Sequence, residues 1–379
     1  MPEAVIVRAK RTAIGKIHGL HSQLRPETLG ALVIEDLLDG LPCPPADIAE
    51  VILGNTVGEG GNIARLSLLE AGLPVGVPAL TVDRQCASGL EAVILAARLI
   101  EAGAGDVYIA GGVESTSLEP KKFRASREHG KLRFEREVER ASFSPERFGD
   151  PDMSTAAENV ARECRISRVA QDDFALRSYT RAWAAQEKGR FEEEKIAVHK
   201  GVPDEGIRPV NHRLLQRMSP LCGKEGTVTA GNACAKNDGA CALVLMSRQK
   251  CDELGLKPLV TFVGAASAGC DPRLAGLGPI PAVRKLLSEQ TLTAGDLDAI
   301  EFNEAFASQV LACAHELSLP MDRLNQSGGA LAFGHPYAAS GAINVCRLTQ
   351  ELLRTGGELG LATLASAGGL GVAALFRQG

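Results

Sequence analysis

Three short segments of the chain carry side chains that could do covalent chemistry. The first is Val82-Asp83-Arg84-Gln85-Cys86-Ala87-Ser88-Gly89-Leu90, where a cysteine stands between an apolar run and a long helical pattern. A helix N-terminus carries partial positive charge and unpaired amide N–H groups. That field favours thiolate over thiol, so Cys86 is expected to ionise below the ordinary thiol pKa of about 8.5. Small residues follow it, so a ligand can approach, and Cys86 is the candidate nucleophile. A packed, inert thiol is the competing reading.

The second segment, Gly328-Gly329-Ala330-Leu331-Ala332-Phe333-Gly334-His335-Pro336, puts a histidine after glycines that let backbone and ligand come close. Histidine is the usual proton carrier near neutral pH; a structural histidine is the alternative. The third, Asn303-Glu304-Ala305-Phe306-Ala307, follows a strand-like run. Asparagine there can hold a water or donate to an oxyanion, or cap the next helix.

Strands and helices must alternate to hold these segments. Strands are expected at Val5–Val7, at 107–110, and as short buried runs at 51–54 and 79–82, with helices at 28–38 and 87–102. That alternation argues for a parallel or mixed sheet covered by helices. The last third repeats the order. A strand at 299–302 is followed by Ala339-Ser340-Gly341-Ala342, which opens a helix as Ala87-Ser88-Gly89-Leu90 does, and then by a strand at 360–364. A duplicated half-domain is the economical explanation. Residues 116–236 differ: charge-rich and irregular, with helices near 156–163 and 169–188, they read as an insertion over the sheets, with most of its charges solvated.

Composition excludes several classes. The formal charge of -5 gives no global basic signature for nucleic acid. No run of about 20 apolar residues offers a membrane span, and no signal peptide or peroxisomal address is seen, so a cytoplasmic protein is expected. The ten cysteines include no C-x-x-C pair, so neither a metal site nor a disulfide framework is expected. Aromatics are only 4%, which suits tightly packed layers of helix on sheet.

Taken together, the three segments resemble the thiolase family, and the resemblance covers essentially the whole chain. Arg11-Thr12-Ala13-Ile14-Gly15, Gly111-Gly112-Val113-Glu114-Ser115, Gly226 through Ala233, Asn237-Asp238-Gly239, Asp271-Pro272 and Gly276-Leu277-Gly278-Pro279 match further family motifs in order. The resemblance implies an α/β, thiolase-like duplicated α/β/α/β/α five-layer fold with an inserted loop domain. The N-terminal half would be 1–115 plus 237–258, the coenzyme A-binding loop domain 116–236, and the C-terminal half 259–379. It implies a homodimer or homotetramer, acyl-CoA or coenzyme A as substrate, and no tightly bound cofactor or metal. Cys86 would carry the acyl group. His335 would activate it and help form an oxyanion hole whose water Asn303 holds. Met153, Arg208, Ala230, Cys234 and Phe306 would meet coenzyme A, with Cys234 standing where relatives usually have a pantetheine-contacting serine.

The chain departs from the family at one decisive place. Thiolases carry a second catalytic cysteine in a C-terminal Cys-x-Gly segment, and here that stretch reads Ala365-Ser366-Ala367. Ala365 has no titratable atom to move the α-carbon proton in carbon–carbon chemistry. Ala367 replaces a glycine whose N–H serves an oxyanion hole; the N–H persists, but a Cβ restricts its geometry. Four explanations stand: an introduced change, Ser366 as substitute base, Cys313 or Cys346 reaching in, or a protein that has left thiolysis and keeps acyl binding or transfer. Tyr337-Ala338 and Phe333 also depart, and both would narrow the acyl pocket toward short chains. The expected function is a thiolase-type acyltransferase for short-chain acyl-CoA or 3-ketoacyl-CoA, crippled in carbon–carbon chemistry. The alternatives are a non-catalytic acyl-CoA-binding protein, a Cys86-dependent hydrolase, or a ketosynthase relative.

Overall fold

The computed structural model describes residues 2–138 and 140–379. In chain order its strands are β1 (Ala4–Arg11), β2 (Gly15–Lys16), β3 (Glu50–Gly54), β4 (Ala79–Val82), β5 (Val107–Glu114), β6 (Lys122–Glu128), β7 (Lys131–Val138), β8 (Asn237–Ser247), β9 (Val260–Gly269), β10 (Ala299–Phe302), β11 (Leu359–Ser366) and β12 (Leu370–Gln378). Hydrogen bonding runs β10-β11-β12-β9-β1-β8-β5-β3-β4, with β2 on β8 and β6 paired to β7.

That line is one pattern used twice. In the first half β3 pairs parallel with β5, β5 antiparallel with β8, and β8 antiparallel with β1. In the second, β10–β11 is parallel, then β11–β12 and β12–β9 are antiparallel. β4 lies parallel beyond β3, and a parallel bridge between Ile300 and Leu324 holds the matching place beyond β10. The halves join edge to edge through only two residue pairs, Val5–Thr261 and Ile6–Val260.

Every residue of β5 is buried, because helices cover both of its faces. Val107 and Ile109 pack outward against Leu29 and Val33 of helix Pro26–Leu38. Tyr108 and Ala110 face the central core that holds Val93 and Ala97 of helix Ser88–Glu101. Helix Pro279–Glu289 adds Val283 and Leu286 to the core on the far half. Helices Ser88–Glu101 and Tyr337–Thr355 form the middle layer, and their backbones touch. A Cβ on Gly89 would lie 2.4 Å from the Ala338 carbonyl oxygen, and one on Gly341 would lie 2.5 Å from the Leu90 nitrogen. These two glycines are the matching positions of the repeated Ala-Ser-Gly, so the duplication explains why both must be small.

Two expectations need correction. β4 is not a buried strand: it ends the sheet with one neighbour, and its Leu80 is 38% exposed. The insertion is not wholly irregular, because β6 and β7 form a hairpin. Its turn residues His129 and Gly130 have φ of 48° and 77°, which suits a tight two-residue turn. A short alternation of Phe123 and Ala125, then Leu132 and Phe134, with charged residues marks it, but the high charge of the stretch masked the signal.

The insertion is pinned to β1 by a buried ion cluster. Arg11 is fully buried and pairs with Glu194 at 2.6 Å and Asp204 at 2.8 Å. Arg347 also reaches Glu194 at 3.4 Å. Removing one partner of such a cluster leaves charge uncompensated in a low dielectric, so Arg11→Met is expected to cost about 3–5 kcal/mol. A urea titration should show this as a large drop in the unfolding midpoint, and an unchanged midpoint would contradict it. No helix among the described residues is long and apolar enough to cross a membrane.

Candidate active site

Cys86 lies two residues before helix Ser88–Glu101, on a turn that begins with Gln85 at φ 52°. A left-handed backbone at a residue with a Cβ is strained and persists only when its surroundings hold it. Here they do. The Gln85 N–H donates to Asp83 Oδ1 (2.7 Å) and the Arg84 N–H to Ser88 Oγ (2.8 Å). Ser88 Oγ donates to the Gln85 carbonyl at 2.6 Å. From the other half, Ser366 Oγ donates to the Arg84 carbonyl at 2.7 Å.

The helix-start field does not decide the thiol's ionisation, contrary to the expectation above. Desolvation, with the charge of Glu114 second, pushes Cys86 up to about 12, while the N–H groups of Cys86 and Ala367 against the sulfur pull the other way. Cys86 as a whole residue is nevertheless only half-buried. The resting residue is a thiol that needs a base.

His335 can supply one. Its ring is buried, its Nδ1 is bonded to Ser340 Oγ at 2.6 Å, and the backbone N–H of His335 donates to the Ala235 carbonyl at 3.0 Å. Ser340 fixes the ring orientation, and the buried Nε2 has no partner among the described residues. Desolvation lowers the imidazole pKa to about 4, so the ring is neutral near pH 7 and can accept a proton. Asn303 is buried and donates its N–H to the Thr363 carbonyl at 3.0 Å; its Nδ2 likewise has no partner among the described residues. It does not cap the following helix, whose N-cap is Phe306.

Tyr337 links the two turns: it lies close enough to Cys86 and Cys234 to feel their charge, and its ring touches that of His335. The Tyr337 ring meets the His335 ring edge-on at 5.4 Å. Burial raises the Tyr337 phenol, and charge on Cys86 or Cys234 would raise it further. Cys234, raised by burial and then by Cys86, donates its N–H to the Ala305 carbonyl at 2.9 Å. Met153 and Cys234 pack with Ala157, Val228, Ala233, Ala305 and Phe306 in a small apolar group. Arg208 and Ala230 stand instead on the exposed surface. Phe333 is not a wall of this cluster: its ring lies 4.6 Å from the Arg347 guanidinium in the core.

Ala365 and Ala367 are both buried. Ser366 is fully buried and committed to Arg84. Cys313 donates to the Gly276 carbonyl at 3.4 Å, and Cys346 is a buried free thiol beside Cys241. Ser366 and Cys313 thus already have hydrogen-bond partners of their own. Sequence reasoning missed Ser340 as the partner of His335, although the repeated Ala-Ser-Gly pointed to it. It also missed Thr56, which no motif marks. The open hollows of about 450 Å³ beside Arg177 and His212 and about 680 Å³ beside Asp106 and Arg248 are lined by none of the cluster's residues.

A doubled α/β fold that brings a thiol and a neutral imidazole to facing helix starts is the layout of an acyl-transferring enzyme. Residues 4–249 match the family model for the thiolase N-terminal domain, and 256–378 that for the thiolase C-terminal domain. The chain belongs to the thiolase family. It is 46% identical over 385 residues to VraB of Staphylococcus epidermidis, a protein provisionally named an acetyl-CoA C-acetyltransferase, covering 100% of this chain and 99% of that one. It is 45% identical over 385 residues to an acetyl-CoA acetyltransferase of Chromobacterium violaceum, covering 98% of each. The crystal structure of the Bacillus anthracis acetyl-CoA acetyltransferase superimposes with a TM-score of 0.91 at 35% identity, covering 100% of this chain and 99% of that one.

Proposed function

We propose that this thiolase-family acyltransferase takes the acyl group of a short-chain acyl-CoA or 3-ketoacyl-CoA onto Cys86, and that Ala365 cripples it in carbon–carbon bond chemistry. The observation that carries the reading is His335: a neutral, buried imidazole anchored at Nδ1 with an unpartnered Nε2, linked through Tyr337 to Cys86.

The steps follow from the residues. Nε2 of His335 takes the thiol proton as the sulfur of Cys86 attacks the thioester carbonyl carbon. The carbonyl oxygen gains the charge, and the N–H groups of Cys86 and Ala367, which lie against the sulfur, would stabilise it. The carbon–sulfur bond to coenzyme A then breaks, and the imidazolium returns its proton to the leaving thiolate. The acyl group remains on Cys86. Residues 116–236 would hold coenzyme A, with Met153, Cys234 and Phe306 along the pantetheine arm and Arg208 and Ala230 nearer the surface. Asn303 would hold a water through its free amide. Tyr337, whose ring lies against that of His335, would narrow the space for a long acyl chain. Condensation also needs a base at the α-carbon, and position 365 has none.

The test is intact mass after incubation with acetyl-CoA. A single acetyl adduct is expected on the wild type and none on Cys86→Ala. A wild type without an adduct would favour an acyl-CoA-binding protein, and rapid release of free acetate would favour a hydrolase.

A further inference from the structure

The turn that carries Cys86 and the turn that carries His335 come from different halves, yet both are tied to one buried carboxylate. Glu114 ends β5 and is fully buried. Its Oε1 accepts from Asn55 Nδ2 (2.9 Å) and the Val57 N–H (3.2 Å). Its Oε2 accepts from the Thr56 N–H (3.2 Å) and the Ala338 N–H (3.2 Å). Ala338 lies three residues past His335, in the first turn of helix Tyr337–Thr355.

Thr56, fixed at its backbone by Glu114, turns its hydroxyl toward the nucleophile. Oγ1 donates to the Gln85 carbonyl at 3.2 Å, with Asp83 Oδ1 at 3.4 Å and Ser88 Oγ at 3.5 Å. Gln85 is the strained residue directly before Cys86. The other half supplies the mirror contact. Ser366 ends β11 as Glu114 ends β5, and each reaches the helix start of the opposite half, Ser366 at the Arg84 carbonyl and Glu114 at the Ala338 N–H.

We infer that Glu114 and Thr56 are positioning residues for acyl transfer: the carboxylate holds the Cys86 turn and the His335 turn in one register, and the Thr56 hydroxyl transmits that hold to the Gln85 backbone. The inference rests on the acyl-enzyme reading of Cys86. Hydrogen bonds to a buried carboxylate are strong and directional. Attack on a thioester requires sulfur, base and carbonyl within tenths of an ångström of the productive arrangement. A residue that sets that arrangement changes the rate of the step without touching the substrate.

The experiment compares Thr56→Val, which keeps the shape and loses the hydroxyl, with Thr56→Ser, which keeps the hydroxyl, and with Glu114→Gln. The readouts are the rate constant for Cys86 acylation at saturating acetyl-CoA and the half-saturating concentration. Thr56→Val is expected to lower the rate constant about tenfold with half-saturation held within about twofold. Thr56→Ser should restore most of the rate. Glu114→Gln should lose more, and adding Thr56→Val to it should cost little further, because both act through one link. A Thr56→Val protein that acylates like wild type, or whose only defect is in half-saturation, overturns the inference even if Glu114→Gln fails to fold. A wild type that forms no acetyl adduct overturns the acyl-enzyme reading instead.

Discussion

Ala365→Cys raises the rate of acetoacetyl-CoA thiolysis by about 10²–10⁴-fold, the usual contribution of one placed proton-transfer group. Ala365 is buried on β11, two residues before the Ala367 N–H that meets the sulfur of Cys86. Strand alternation puts its Cβ on the face opposite Ser366, whose hydroxyl is committed to the Arg84 carbonyl. A thiol at 365 adds one titratable atom on that face and disturbs little else. Ala365→Ser is the control, since it adds similar bulk with a hydroxyl that is a poor base. The measurement is consumption of acetoacetyl-CoA in the presence of coenzyme A. Equal rates in wild type and Ala365→Cys would place the carbon acid/base elsewhere in the chain.

Replacing His335 by glutamine is expected to slow acylation of Cys86 by about 10²–10⁴-fold, because the amide cannot take the thiol proton. The pH dependence distinguishes this mechanism from a resting ion pair. The imidazole stays neutral down to about 4 and the thiol stays protonated up to about 12. The wild-type acylation rate is therefore level across the neutral range and falls as the pH approaches 4. A rising limb centred near neutrality would mean that the imidazole titrates at its ordinary value, and a falling limb in the alkaline range would mean a resting thiolate–imidazolium pair.

Stability follows the same shift. The folded imidazole titrates at about 4 and the unfolded one near 6.5, so the unfolded chain binds the proton first. The stability from this group is present above 6.5 and is lost as the pH falls toward 4. The buried carboxyl of Glu301, raised to about 8 by desolvation first, has the opposite sign: its share is present in acid and is lost as the pH rises through 8. Unfolding midpoints of wild type and His335→Gln between pH 4 and 7 should converge toward the acid end.

The residues that could react were legible because their neighbours are informative. Cys86 precedes Ala-Ser-Gly at a helix start, and Gly334 before His335 has φ 104° with Asn237 pressed against the place of a Cβ. Such positions constrain sequence locally. The duplication was legible for the same reason, since Gly89 and Gly341 meet at one crossing and neither tolerates a side chain. What was not legible was set by distant chain. The ionisation of Cys86 was misjudged because the helix start was weighed alone, while desolvation and Glu114, 28 positions away, prevail. Thr56 reaches Gln85 across a separation of 29 residues, and no spacing rule announces such a contact. The hairpin at 122–138 escaped because the charge around Phe123 and Phe134, both exposed, masked its alternation.

The crossing of the two middle helices bears on what either half could do alone. In the aligned copies Ala338 occupies the place of Cys86, and each half still braces the helix start of the other through Glu114 and Ser366. Of the two matching parts, one bears the thiol and the other the imidazole. Neither half carries both groups, so neither could stand in for the whole.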